Sequence, residues 1–462
     1  MSDSNGNLKK TNKACLAKAL KKGCEAVDRV QLPSASIIDG MMLVHRVKGD
    51  NLTFGQVAED VFNRILIEAN NANRIDAVFD TYLPLSIKFN ERSIRGSIDD
   101  GNRSICNNIS PSQIIKNWTV LMHSSASKNA LISFLVSQWK EERYRQKLGD
   151  RKLYVGSCNS CIIIESNGFT EYDNLASNQE EADGRLILHA LDADKTYPVV
   201  TISANDTDVF ILCLAFASYF SSLMLKSGTT KVKIIDVKCI ASSLGFEVCR
   251  ALVSMHAFTG CDTVSAFSGR GKLSALKLIK NDENMCETMK LLGEDWTLGE
   301  ELFGRLNRFT CSLYATHTKC TSVNELRYEQ FRLKKGKIHS AQIPPCEDCL
   351  LEHAKRANYQ AAIWKKSSMA KPLIPNPDGN GWQVNDGVIK VKWMSGAPAP
   401  DAILDFLSCN CKNACKSTKC SCMMNSLRCT PMCRLQTCTN MATNHLRETP
   451  DRESDSDEDQ IY

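Results

Sequence analysis

With 462 residues, 43% of them hydrophobic, the chain has enough apolar material for two or three folded units. A formal net charge of +5 excludes a histone-like polybasic protein, and the polar, lysine-rich stretch Met1–Lys22 lacks the apolar segment of a secretory signal. Twenty-two cysteines in such a chain point to a reducing compartment, with thiols kept free or bound to metal.

Residues 1–30 read as a flexible or loosely helical leader. Strand-like and helix-like segments then alternate. Ser36–Asp39 and Ala77–Asp80 are short apolar runs ending in aspartate, and Val155–Glu165, Val199–Ser203 and Lys231–Val237 are rich in β-branched residues. Helical periodicity covers Phe54–Glu68, Asn117–Glu142, Ala182–Leu191 and Leu273–Ile279. This alternation predicts an α/β domain over residues 31–340 with a mostly parallel sheet. Val209–Leu225 is almost continuously apolar, but Ser218, Tyr219, Ser221 and Ser222 interrupt it. It is expected to be a buried helix behind a strand, so no membrane partner is expected. Prolines at 344, 345, 372, 375, 377, 398 and 400 mark 341–404 as a linker carrying one helix, Glu352–Lys366. A cysteine-rich module follows over 405–441, then an acidic tail over 442–462.

Asp39 and Asp80 each end an apolar strand, and Glu181 and Asp183 open a helix. Asp206 and Asp208 follow the strand Val199–Ser203, and Asp262 lies in the turn Thr259-Gly-Cys-Asp262. In a parallel sheet, ligands gather beyond the carboxyl ends of the strands. Carboxylates crowded there repel one another unless cations neutralise them, and oxygen-only donors suit Mg²⁺ or Mn²⁺.

Several of these segments resemble the flap-endonuclease family of PIN-like nucleases. Asn205-Asp-Thr-Asp208 is similar to the family's paired-aspartate motif, Glu181-Ala-Asp183 to its Glu-Ala-Glu motif, and Ala77-Val-Phe-Asp80 to its Val-Phe-Asp strand. Gly260-Cys-Asp262, with Ser268-Gly-Arg-Gly-Lys272 and the helix after it, resembles the helix–two-turn–helix segment. The order agrees over residues 34 to 280. The resemblance implies two metal ions held by Asp39, Asp80, Glu181, Asp183, Asp206, Asp208 and Asp262. It also implies Lys88 and Arg92 (with Arg95 as an alternative) beside the scissile phosphate, and a duplex grip formed by Gly269, Gly271 and Lys272. Residues 100–150 fall where the family places its arch, with Trp118–Arg145 as a long helix. Three departures stand out. Asp183 is one methylene shorter than the usual glutamate, no Gly-Ile-x-Gly-Leu segment is present, and Asp39 follows a very short strand.

From Cys409 the chain reads C-x-C-x3-C-x4-C-x-C-x6-C-x3-C-x4-C, through Cys411, Cys415, Cys420, Cys422, Cys429, Cys433 and Cys438. So short and cysteine-dense a segment has no room for a hydrophobic core and must be cross-linked, in a reducing compartment by thiolate-bound Zn²⁺. It resembles the CXC module of tesmin-like chromatin proteins, with Leu435 where the family has a ninth cysteine. Eight thiolates fill two tetrahedral sites, so two Zn²⁺ are expected. The combined reading is a nuclear, metal-dependent nuclease acting on nucleic acid, DNA before RNA, with chromatin proteins as further partners. Its rival is a non-catalytic DNA- or chromatin-binding protein that keeps the nuclease scaffold. The pairs Cys158/Cys161 and Cys346/Cys349 read as structural thiols.

Overall fold

The computed structural model describes residues 1–3, 6–83, 86–88, 109–228, 231–334 and 342–396, and in the cysteine-rich region 409–416, 419–424, 428–429, 433–435 and 438–440. The chain divides into two compact units, Met1–Trp393 and Met394–Tyr462.

The first unit is built on one eight-stranded sheet in the order β5-β4-β3-β2-β1-β6-β7-β8. The strands are β1 Ser34–Asp39, β2 Arg74–Val78, β3 Lys152–Ser157, β4 Ser160–Glu165, β5 Gly168–Glu171, β6 Val199–Ser203, β7 Leu223–Ser227 and β8 Lys233–Asp236. From β3 to β7 every neighbouring pair is parallel, and antiparallel strands close both edges. The predicted mostly parallel α/β domain is therefore present. Side chains alternate across each strand, so Ala35 and Ile37 feed one apolar core while Ile38 feeds the other. Helices Ala182–Asp194, Thr207–Phe216 and Phe246–Phe258 cover the first face, and Phe54–Ala69 and Ser125–Trp139 cover the second.

Register places the acids. Asp39 pairs with Val78, and Ile38 pairs with both Ala77 and Ser203. Because β2, β1 and β6 are adjacent and parallel, Asp39, Asp80 and Asp206 leave the sheet at the same edge. Gly40 continues directly from Asp39, and a Cβ built there would lie 2.4 Å from the Phe79 ring, which is fully buried. Gly40→Ala is expected to lower stability by about 1–3 kcal/mol through overpacking, read as a fall in the denaturation midpoint.

A buried polar network ties the helix Ala182–Asp194 to the sheet. Arg74 donates twice to Asp76, at 2.8 and 2.9 Å, and once to Asp192 at 2.9 Å. His189 Nδ1 meets Asp76 Oδ2 at 2.8 Å, and the Arg74 guanidinium lies 3.8 Å from the centre of the Tyr154 ring. The paired charges satisfy one another away from water, which fixes the direction of the helix that carries Glu181 and Asp183 at its start.

Several sequence expectations need correction. The 1–30 leader is anchored: its helix Ala14–Leu20 buries Leu16 and Leu20 against Thr207–Phe216 and Lys272–Asn281. The helix expected in a 341–404 linker, Glu347–Lys365, is a core element packed on Phe246–Phe258 through Leu350, Ala354, Ala357, Ala361 and Trp364. A hairpin, Trp382–Asn385 and Val388–Val391, then packs on Tyr359, so the first unit runs to Trp393. Val155–Glu165 is two strands, because Cys158 takes a left-handed conformation (φ 48°) and starts a turn. Val209–Leu225 is not one helix: the helix ends at Phe216, a short 3-10 turn covers Ala217–Tyr219, and after the serines Leu223 begins β7. Trp118–Arg145 breaks into Trp118–His123, Ser125–Trp139 and Glu142–Arg145. Leu131, Leu135 and Trp139 are buried in the second core, and Trp139 donates its indole N–H to the Ala58 carbonyl at 3.1 Å. These helices belong to the body of the domain, not to an arch standing clear of it. Among the described residues, no helix is long and apolar enough to cross a membrane.

Candidate functional site

Carboxylate oxygens of Asp183, Asp206 and Asp208 lie within 4.8 Å of one another, a spacing that can hold a cation. Two helix starts make this possible. Asp206 caps the helix Thr207–Phe216 and accepts the Asp208 N–H at 3.0 Å, while Glu181 and Asp183 open Ala182–Asp194. Helix N-termini favour negative charge. Asp80 completes the second start from another strand: its Oδ1 accepts the Ala182 N–H at 2.8 Å, which joins the end of β2 to that helix. Arg185 holds the same junction, donating to carbonyls of Phe79, Cys158, Ser177 and Gln179 and to Thr81 Oγ1. Asp39 caps its own short helix by accepting from Met42 N at 3.1 Å.

Two lysines reach into this edge. Lys13 Nζ lies 2.7 Å from Asp208 Oδ2 and 2.7 Å from Asp262 Oδ1, so the turn carrying Asp262 joins the set through a shared ammonium. Lys88 Nζ lies 3.2 Å from Glu181 Oε2, and the Trp364 indole N–H donates to the same oxygen at 3.3 Å. Lys88 thus lies against the carboxylate set, whereas Arg92 and Arg95 lie outside the described residues.

Sequence reasoning missed Lys13, His256 and Trp364. His256 Nε2 lies 2.7 Å from Asp208 Oδ1, and the two side chains are buried. Burial pulls the His256 pKa down to about 4 and the nearby Lys272 ammonium adds to this, outweighing Asp208. The ring is therefore neutral at pH 7 and donates Nε2–H to an ionised carboxylate. Asp208 stays ionised: burial alone would raise its pKa, but the His256 hydrogen bond and the Lys13 and Lys88 ammoniums hold it below the usual range. Asp262 is brought to about 2 against burial, mainly by Lys88 and Lys13.

The other acids behave oppositely. Burial lifts Asp183 well above a normal carboxylate, only partly offset by Lys88, and Asp206, Glu181 and Asp208 add repulsion. Asp206 is raised by burial and by Asp208. For Asp39, burial first and then Asp80 move the pKa from 3.8 to about 7. The folded state then keeps a proton that the unfolded chain releases, so this group's contribution is favourable below pH 4 and is lost as pH rises to 7. Asp39→Asn preserves the cap but not the charge. In cation-free protein it is expected to raise stability at pH 8 by up to about 4 kcal/mol and leave it unchanged at pH 4. Denaturant midpoints at the two pH values test this, and equal gains at both would assign the effect to something other than ionisation.

Of the three residues expected to form a duplex grip, two lie at the surface and one does not. Gly269, in a left-handed turn (φ 63°), and Gly271 are exposed and leave their backbone open to a ligand. Lys272 corrects the expectation, because it is fully buried. Its Nζ donates to the carbonyls of His256 at 2.8 Å and Gly260 at 2.5 Å and to Thr259 Oγ1 at 3.2 Å. It closes the C-terminus of Phe246–Phe258, where orphan carbonyls and the helix dipole favour a cation. Its ammonium is turned inward and does not reach a phosphate at this turn.

In the second unit the thiols of the cysteine-rich segment converge, and none forms a disulfide. Cys409, Cys420, Cys422 and Cys429 form one group able to hold a metal, Cys409, Cys411, Cys415 and Cys420 a second, and Cys415, Cys429 and Cys438 a third. Cys422 and Cys433 approach to 3.6 Å. Both tetrads use Cys409 and Cys420. Asn440 Nδ2 points at Cys429 Sγ from 3.2 Å. Chains able to hold a metal this way gain folding energy from it.

Comparison with protein-family models and with curated proteins yields no match for this chain.

Proposed function

We propose that the unit Met1–Trp393 is a divalent-cation-dependent nuclease acting on DNA, with two Mg²⁺ or Mn²⁺ ions at its carboxylate edge. The observation that carries this reading is the convergence of Asp183, Asp206 and Asp208 within 4.8 Å at the carboxyl edge of a parallel sheet. Asp39, Asp80, Glu181 and Asp262 come from adjoining strands and turns. Repelling acids gathered at one edge, Asp208 and Glu181 buried and Asp206 at the surface, three of the set with raised pKa values, fit a role as cation ligands. Ions bound there supply an activated water and charge neutralisation at a phosphodiester. The chain's own residues do the rest. His256 holds Asp208 ionised and oriented, Asp80 and Arg185 fix the start of the helix bearing Asp183, and Lys88 supplies a cation beside Glu181. The open backbone at Gly269 and Gly271 suits a phosphate.

The test is an assay of the full chain on flap, bubble, single-stranded and duplex DNA. Cleavage is expected with Mg²⁺ or Mn²⁺ and none in chelator. Binding without cleavage on every substrate would favour the second reading, a nucleic-acid-binding scaffold. That reading draws on Lys13 and Lys88, which already neutralise part of the carboxylate set.

The cysteine-rich unit is proposed as a Zn²⁺ cluster with bridging thiolates, serving nuclear docking to DNA or chromatin. An all-thiolate donor set suits Zn²⁺, and overlapping groups imply sharing. Cys409→Ser, which touches both tetrads, is expected to release most of the bound zinc, whereas Cys438→Ser removes at most one ion. Elemental analysis of the full-length variants decides this; equal losses would mean that the sites are independent.

A further inference from the structure

The leader segment makes contacts that the proposed chemistry does not use. Lys13 is 18% exposed and spans Asp208 and Asp262 symmetrically, at 2.7 Å to each. The residues before it grip the same turn: Ala266 N donates to Lys9 O at 2.7 Å, Lys9 Nζ to Ser268 Oγ at 2.8 Å, and Lys10 Nζ to the Asp262 carbonyl at 2.8 Å. The helix after it is anchored by Leu16 and Leu20. Its ammonium is thus delivered to a defined place between two carboxylates.

The carboxylate edge consequently has two unlike halves. The Asp183–Asp206–Asp208 group has its oxygens gathered with Lys13 only at Asp208 Oδ2. The Asp208–Asp262 gap is filled by Lys13 itself. Resting on the reading of this edge as a metal centre, we propose that Lys13 is an internal counter-ion holding the second cation position. A first divalent ion binds at Asp183, Asp206 and Asp208, and a second binds between Asp208 and Asp262 only as Lys13 withdraws. A tethered ligand competes as if present at millimolar concentration, so Lys13 weakens the second site, where it meets both carboxylates, more than the first, where it meets Asp208 Oδ2. A divalent ion between two carboxylates gains more Coulomb energy than a single ammonium, so it prevails once its concentration is high enough. Cation level then sets whether the Lys13 ammonium stays between the two carboxylates, and with it whether the site is complete.

The experiment is a calorimetric titration of full-length, chelator-stripped protein with Mn²⁺, the cysteine-rich unit having been reloaded with Zn²⁺. Wild type is expected to show a tighter and a weaker event at the carboxylate edge, both lost in Asp206→Asn/Asp208→Asn. Lys13→Met is expected to tighten the weaker event about ten-fold, equivalent to about 1.4 kcal/mol, and leave the tighter one in place. Two events with the weaker one unchanged or further weakened in Lys13→Met would overturn the role of Lys13 while leaving the metal centre standing. No Mn²⁺ binding at this edge in either protein would overturn both. Wild type provides a second readout that needs no variant. Acylation of Lys13, followed by mass spectrometry, should rise as Mn²⁺ saturates the site, while buried Lys272 stays protected. Lys13 reactivity that is flat across the titration would overturn the proposal.

Discussion

Replacing Asp206 and Asp208 together by asparagine is expected to remove cation-dependent cleavage, lowering the rate about a thousand-fold or more, or about 4 kcal/mol of transition-state stabilisation. The two residues are central for different reasons. Asp206 caps the helix Thr207–Phe216 through the Asp208 N–H, and asparagine keeps that cap. Asp208 is the ionised partner of His256 and Lys13, so asparagine removes a charge without removing volume. Binding to DNA should persist, because neither substitution alters the exposed backbone at Gly269 and Gly271. The decisive measurements are single-turnover cleavage with Mg²⁺ and, in parallel, affinity in chelator. Cleavage at the wild-type rate would remove these two acids from the proposed chemistry.

Lys272→Met is expected to destabilise the first unit by about 3–5 kcal/mol, by leaving buried carbonyls of His256 and Gly260 without their donor. The loss should appear as a large drop in the denaturant midpoint. The salt dependence of DNA binding by the folded protein should not change, since a buried ammonium releases no counter-ions from a phosphate backbone. Retained stability together with a flattened salt slope would return Lys272 to the nucleic-acid surface.

Much of the sheet and its acids was legible in the chain. Apolar runs such as Ser36–Asp39 and Val199–Ser203 have the length and β-branching of buried strands, and an acid at the end of the first and shortly after the second marks the carboxyl edge. The spacing of the cysteines announced a thiol cluster, because so dense a run has no other way to fold. What the chain could not reveal is pairing over long separations. Lys13 lies 195 positions from Asp208, in a stretch whose lysines look like ordinary solvated charges. The helix Glu347–Lys365 hid among prolines, yet its apolar side chains at 350, 354, 357, 361 and 364 find a partner on Phe246–Phe258. Lys272 looked like a surface cation until the helix it closes was packed over it. Local pattern determines which segments are strands and helices and where acids and thiols cluster. Only the tertiary structure decides which charges meet, because burial and the satisfaction of buried polar groups are properties of the assembled core.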